Sequence, residues 1–419
     1  MADKKNMVIA QSGGPSSAIN ASIAGAISRA MAAGEIGKVY GAVNGMQGFL
    51  DRKLISISDQ ITTSDDIDTL IHTPAQALGS SRYKIPKGVE GDAVFARILE
   101  ILKEYDIGYF FYNGGNDSMD TVCRVANYFK EHGEDIVAVG IPKTIDNDLA
   151  ETDHTPGFGS AARYVAASVA EVYLDTIVYP LPAVTIVEVM GRNAGWLTAA
   201  SVLARDTGVP APHLIYLPEL PFDPDDFVAR AAELIRKEGQ IVVAVSEGIK
   251  YADGTYIADT GAAEDMFGHK TLGGVASALE SLLKGKSGIS GLKSRAIMFS
   301  TLQRAAAHYA SATDLSESYE CGRRAVEAAL AGRSGVMITI QRESSEPYLI
   351  RYAEGALDNI ANEEKTVPLE WISDGGTNVS QEMVDYLRPL VRGEAAETHV
   401  GGLPRFFRFD WTKTVGPGE

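Results

Sequence analysis

The chain has 419 residues, 45% of them hydrophobic and 22% charged, a composition that excludes a disordered or fibrous protein. At roughly 150 residues per domain the length predicts two or three domains with substantial cores. Asp and Glu number 55 against 38 Lys plus Arg, a net charge of −17; that field repels nucleic acid and anionic membranes, so an anionic small molecule must be held by a local cluster of donors.

The opening MADKKNMVIAQSGG is too short in apolar residues for a secretion signal, and no stretch nears the ~18 apolar residues of a membrane helix. Two cysteines, Cys123 and Cys321, fit a reducing compartment, and the expected location is the cytoplasm. From there a short apolar run, a Gly-containing turn and a helical pattern recur. A strand over 6–11 leads through SGGPSS into a helix over 18–31, where Ile19, Ile23, Ala26, Ile27 and Ala30 keep helical spacing. A strand over 107–112 leads through NGGNDS into a helix over 119–129. The run 136–141 ends in PKTIDND, and 185–190 passes through GRNAG into a helix over 196–204. Asp223 caps and Pro224 opens a helix over 222–237, with Phe227, Ala231 and Leu234 or Ile235 inward. The run 241–245 stops at SEG, and 296–299 stops at STLQR. Stretches 253–271 and 285–294 read as surface loops, and the tail beyond about 360, with Trp371 and Trp411, as a cover without chemistry.

These strands are near-continuous apolar runs, as expected of strands buried on both faces of a parallel sheet. The predicted class is α/β, in which ligands gather at the carboxyl ends of the strands, where every polar turn above lies.

The turns carry the chemistry. Gly13 and Gly14 let backbone approach an anion at a helix N-terminus, although the same residues suit a plain βα turn. Gly114-Gly115-Asn116-Asp117-Ser118 suits phosphate and metal. In Pro142–Asp148, Lys143, Thr144, Asp146 and Asp148 crowd one strand exit. That set fits phosphoryl transfer to a hydroxyl, with Asp146 accepting the proton and Lys143 and Thr144 stabilising the moving phosphoryl group. Met190-Gly191-Arg192-Asn193, Leu78–Arg82, Ser246-Glu247-Gly248, Arg295 and Arg304 add arginines suited to phosphate, read together as strand-end donors. There is no Walker A loop and no nucleophile elbow. The seven histidines form no zinc-type cluster. Gly157–Ala162 fits G-x-G-x-x-A but follows no strand, which makes it a decoy.

Taken together, SGGPSSAIN, LGSSR, NGGNDS, PKTIDND, EVMGRNAGW, SEG and SRAIMFSTLQR resemble the phosphofructokinase family, in its order and approximate spacing over about residues 5–340. The resemblance implies two doubly wound, mostly parallel α/β domains with the active-site cleft between them. The donor domain would be 1–157 completed by about 303–360, the sugar-phosphate domain 158–302, and 361–419 a C-terminal extension. It implies Mg²⁺, fructose 6-phosphate as acceptor, and at least a homodimer. Gly13 and Gly14 would cradle the donor, Arg82 contact the transferred group, and Asp146 act as base with Thr144 beside it. Met190, Gly191, Arg192, Glu247 and Arg304 would hold the sugar phosphate, with Arg295 reaching it from a neighbouring subunit.

Two positions bear on the donor. ATP-dependent members have GGDGS and Gly before TIDND; pyrophosphate-dependent members have Asp and Lys, as here in Asp117 and Lys143. A carboxylate ~4 Å from a nucleotide's α-phosphate costs about 4 kcal/mol at an effective dielectric of 20, roughly a thousandfold against ATP. The expected donor is therefore pyrophosphate, with an ATP-dependent 6-phosphofructokinase as the alternative. Asn116 stands at the acidic metal position of the family, as a weaker ligand that Asp117, Asp148 or water would supplement. Ala183 replaces an Arg and Thr301 a His of the ATP-type pattern. Ala24 and Ser28 stand where allosteric bacterial members carry arginines, so no effector site of that kind is expected.

Overall fold

The computed structural model describes residues 4–81, 83–257, 274–395 and 399–418. In chain order its main strands are β1 (Lys5–Gln11), β2 (Ile36–Ala42), β3 (Leu54–Ser56), β4 (Ile107–Gly114), β5 (Val137–Pro142), β6 (Ala183–Val189), β7 (Leu214–Tyr216), β8 (Gln240–Ser246), β9 (Lys293–Met298), β10 (Val336–Ser345) and β11 (Tyr348–Ala356). The chain forms two compact units, one from 1–160, 307–364 and 393–419, the other from 161–306 and 365–392. The tail is thus divided between the units, where the sequence reads as one extension from 361 onward.

Among the described residues the first unit carries a seven-stranded sheet in the order β11-β10-β5-β4-β1-β2-β3. The inner neighbours β10, β5, β4, β1 and β2 run parallel, and β3 and β11 close the edges antiparallel. Alternate residues of β1 and β4 feed different cores, as the two-residue period of a strand requires. Ile9 and Phe111 pack with Ile23, Ile27, Ala325 and Val326 of the helices Ile19–Met31 and Ala312–Leu330. Val8 and Phe110 pack with Ile98, Val122 and Phe129 of the helices Val89–Glu104 and Asn116–Glu131. Buried on both faces, these strands have no polar side to show, which is why they read as unbroken apolar runs. The first pair of helices meets backbone to backbone: a Cβ on Gly25 would lie 1.9 Å from the Tyr319 carbonyl oxygen, and one on Gly322 1.8 Å from that of Ser22.

The second unit holds a parallel four-stranded sheet, β7-β8-β6-β9. Its core joins Val184, Ile186, Val243 and Val245 to Phe227 and Ile235 of the helix Pro224–Glu238 and to Leu279 and Leu283 of the helix Val275–Lys286. Asp223 caps the former helix by accepting from the amides of Asp225 (2.9 Å) and Asp226 (3.1 Å), and Ile235 rather than Leu234 completes its inner stripe. The expected helix over 196–204 is an α-turn, Trp196–Ala199, followed by a 3₁₀ segment, Ala200–Thr207. No helix among the described residues is long and apolar enough to cross a membrane. Most of the expected loop 253–271 lies outside the described residues.

Candidate active site

In the first unit the exits of β1, β4 and β5 emerge side by side, because Gln11 is in register with Asn113 and Gly114 with Pro142; neighbouring strands lie about 4.8 Å apart. Gly13, at φ +75°, turns the chain out of β1. Its carbonyl accepts from Ser80 Oγ (3.0 Å) and Gln76 Nε2 (3.3 Å). Lys143 is 3% exposed and donates from Nζ to the Gly14 carbonyl at 2.5 Å. A Cβ on Gly13 would sit 3.4 Å from that ammonium. Gly13, Gly14 and Lys143 therefore form one cationic, backbone-rich cradle.

The adjoining turn carries the expected base. Thr144 Oγ1 accepts from the Asp146 amide at 3.1 Å, an ST-turn that orients a half-buried Asp146. Asn147 takes φ +57°, a conformation Asn tolerates, and its Oδ1 accepts from the Thr155 amide at 3.1 Å. Thr155 Oγ1 donates to the Thr144 carbonyl at 2.7 Å, so the segment 152–157 braces the turn. Asp148 is also half-buried.

Asn116 and Asp117 lie not in a loop but in the first turn of the helix Asn116–Glu131, with Gly115 before it. The Asp117 side chain is 51% exposed, and Lys84 Nζ stands 3.7 Å from its Oδ1. The Asn116 amide cross-links the fold: Oδ1 accepts from the Asn362 amide (2.8 Å) and Nδ2 donates to the Glu363 carbonyl (2.6 Å). Its oxygen, expected to meet a metal, here serves a backbone donor with one of its two lone pairs. Among the described residues no three His, Cys, Asp or Glu side chains form a ready-made metal cage. Mg²⁺ is ordinarily held by one or two carboxylates plus substrate phosphates, and the half-buried Asp148 carboxylate in the turn after β5 fits that need. Arg82 lies outside the described residues.

In the second unit the exits of β6 and β8 are matched at Val189 and Ser246, and β9 reaches Met298 opposite Glu188. Gly191 (φ +142°) accepts at its carbonyl from Ser246 Oγ, and its amide points to Glu247 Oε1 at 3.5 Å. The Met190 amide donates to Gln303 Oε1 (3.2 Å), and Lys250 Nζ donates to Asn193 Oδ1 (3.3 Å). Burial raises the Glu247 carboxyl to about 7 despite the Gly191 amide; Glu188 adds to the rise, and Arg192 and Arg304 oppose it. Two guanidinium groups, Arg192 and Arg304, thus act on the Glu247 carboxyl, which also meets the Gly191 amide.

Arg295 is not at a strand end. It sits mid-strand in β9 opposite Thr185, on the sheet edge, and pairs with Asp175 in the open. The residues that brace these sites, Gln76, Lys84, Lys250 and Gln303, carry no turn signal of their own; only Gln303 lay within a motif already singled out.

The phosphofructokinase family model matches residues 6–329. The chain belongs to the phosphofructokinase family. It is 42% identical over 405 residues to the pyrophosphate–fructose 6-phosphate 1-phosphotransferase of Methylococcus capsulatus, covering 96% of this chain and 95% of that one. The pyrophosphate-dependent phosphofructokinase of Marinobacter aquaeolei superposes with a TM-score of 0.85 at 41% identity, over 96% of each chain. That of Nitrosospira multiformis gives 0.87 at 38% identity, over 100% of this chain and 98% of that one. A phosphofructokinase fold accounts for the decoy: Gly157–Ala162 leads into the helix Phe158–Thr176, with the Gly157 and Ser160 amides donating to Asp314 (2.8 and 2.9 Å) rather than to a dinucleotide.

Proposed function

We propose that this phosphofructokinase transfers a phosphoryl group reversibly from pyrophosphate to the 1-hydroxyl of D-fructose 6-phosphate, giving fructose 1,6-bisphosphate and phosphate. Asp146 accepts the hydroxyl proton as the oxygen attacks. Lys143, Thr144 and the amides of Gly13 and Gly14 stabilise charge on the donor, with Arg82 on the transferred group. Arg192 and Arg304 hold the 6-phosphate, and Met190, Gly191 and Glu247 the sugar. Mg²⁺, carried on the pyrophosphate and held by Asp148, would neutralise phosphate charge. The observation that carries the reading is Lys143: a buried ammonium bonded to the Gly14 carbonyl supplies beside the turn the positive charge that a nucleotide–metal complex would otherwise bring.

The enzyme is read as cytoplasmic and as a homodimer or larger assembly. Exposed apolar side chains at Leu174, Ile177, Val178, Tyr179 and Leu181, together with the edge position of β9 among the described residues, support a self-contact that would also carry Arg295 to a neighbour. One observation favours ATP instead: Lys84, 3.7 Å from Asp117, offsets the charge meant to repel a nucleotide. An assay of purified enzyme with each donor decides. Pyrophosphate should support turnover, and strong activity with ATP but none with pyrophosphate would reject the proposal.

A further inference from the structure

The turn that bears Asp146 hangs on residues 152–157, and those residues are fixed by a buried group of charges that touches neither the phosphate cradle nor the sugar site. The Asp153 amide donates to the Ile340 carbonyl (2.8 Å), and the Ile340 amide donates to Thr152 Oγ1 (2.9 Å), which sews the segment to β10. Between them His154, 2% exposed, places Nδ1 2.7 Å from Asp153 Oδ2 and Nε2 2.6 Å from Glu317 Oε2. A neutral imidazole has one N–H and would turn a lone pair on one of these carboxylates; an imidazolium donates to both. Arg342 of β10 donates to Asp153 Oδ2 from Nε (3.1 Å) and Nη2 (2.9 Å), and the Tyr348 hydroxyl of β11 donates to Glu317 Oε1 (2.7 Å).

With His154 charged, two cations face two carboxylates and the group is neutral. Among the described residues Glu317 also acts on Asp314 of the same helix, on Cys321 one turn on and on Tyr352 of β11, and Glu320 faces the last two. Asp314 grips the amides of Gly157 and Ser160, so the helix Ala312–Leu330 holds the segment at two points one turn apart.

We propose that His154 is a positioning residue: clamped between Asp153 and Glu317, it locks residues 152–157 and thereby fixes the Thr144–Asn147 turn that presents Asp146. The proposal deepens the reading of Asp146 as the base and rests on it. Burial alone would push the imidazole down, but Glu317 and Asp153 outweigh it and hold the ring at about 9. Above that pH the proton leaves, an unbalanced negative charge stays in a dry site, and the brace on the turn slackens.

The test compares His154→Gln and Glu317→Gln with the unaltered enzyme by kinetics and by hydrogen–deuterium exchange. In His154→Gln, kcat should fall at least about tenfold while KM for fructose 6-phosphate stays within about threefold. Amides of 144–157 should exchange at least about tenfold faster, with β1 unchanged. In Glu317→Gln, which keeps the shape and removes one carboxylate, the alkaline limb of kcat should move down by at least about one pH unit. If His154→Gln does not fold, Glu317→Gln alone decides. A kcat per folded molecule within about twofold of the unaltered enzyme, unchanged exchange over 144–157, or an unmoved alkaline limb overturns the proposal. An unaltered enzyme inactive with pyrophosphate would reject the functional reading instead, and the exchange comparison would still decide whether His154 holds the turn.

Discussion

At the scale of single residues, the donor choice divides unevenly between Asp117 and Lys143. Half-exposed and faced by Lys84, Asp117 acts through a dielectric nearer water than protein interior. Its repulsion of a nucleotide phosphate falls from about 4 toward about 1 kcal/mol, so the expected discrimination drops from a thousandfold toward roughly fivefold. Lys143, buried against Gly14, keeps its strength. Asp117→Gly should accordingly raise the ATP-to-pyrophosphate ratio of kcat/KM by roughly fivefold, and adding Lys143→Gly should raise it further. Ratios that do not move in either variant refute the repulsion. Glu247 yields a pH effect with a definite sign. Burial pushes its carboxyl up to about 7 in the fold, from an ordinary 4.5. Its contribution to stability is therefore fully present below about pH 4.5 and lost as pH rises through 7. Glu247→Gln should raise the unfolding free energy at pH 8 by up to about 3 kcal/mol and leave it unchanged near pH 4.5, while weakening sugar binding. Thermal melts at the two pH values check this, and an equal shift at both would refute it.

Among the elements, the central strands were legible because parallel strands buried on both faces must be apolar throughout. β10 and β11 were not. The strand β11 is an antiparallel edge whose residues are exposed or half-exposed, and β10 is buried only over Met337–Ile340 before it turns polar, so half of the hairpin carries no apolar run. The helix after β4 begins at Asn116, three residues earlier than periodicity suggests, since polar residues in a first turn break the apolar spacing although they belong to the helix. Its Asn116 cross-link to the 362–363 turn joins segments nearly 250 positions apart, a distance no local motif expresses. Asn116→Ala should cost about 1–2 kcal/mol of stability and leave the Mg²⁺ concentration for half-maximal activity unchanged. Denaturant unfolding and a metal titration would show it; a large rise in the Mg²⁺ requirement would mark Asn116 as a ligand.

For the molecule as a whole, the apolar side chains at Leu174, Ile177, Val178, Tyr179 and Leu181 form an exposed cluster beyond what scattered surface residues account for. Val178, 63% exposed, is a sensitive probe. Val178→Asp should lower the mass found by sedimentation or light scattering and raise KM for fructose 6-phosphate, as should Arg295→Ala at unchanged mass. An unaltered mass and KM in Val178→Asp would exclude a self-contact there.

By itself the sequence determined the α/β class, the family and the polar turns that carry chemistry. Each of these is local: a turn's glycines and charged residues follow directly on an apolar strand, and their spacing survives whatever the rest of the chain does. Only the tertiary structure decided that Asn116 is a cross-link, that Arg295 lies mid-strand, and that His154 meets Glu317 across 163 positions. Those are facts about which side chains packing brings together, and a lone histidine on a chain carries no sign of the carboxylate that folding sets against it.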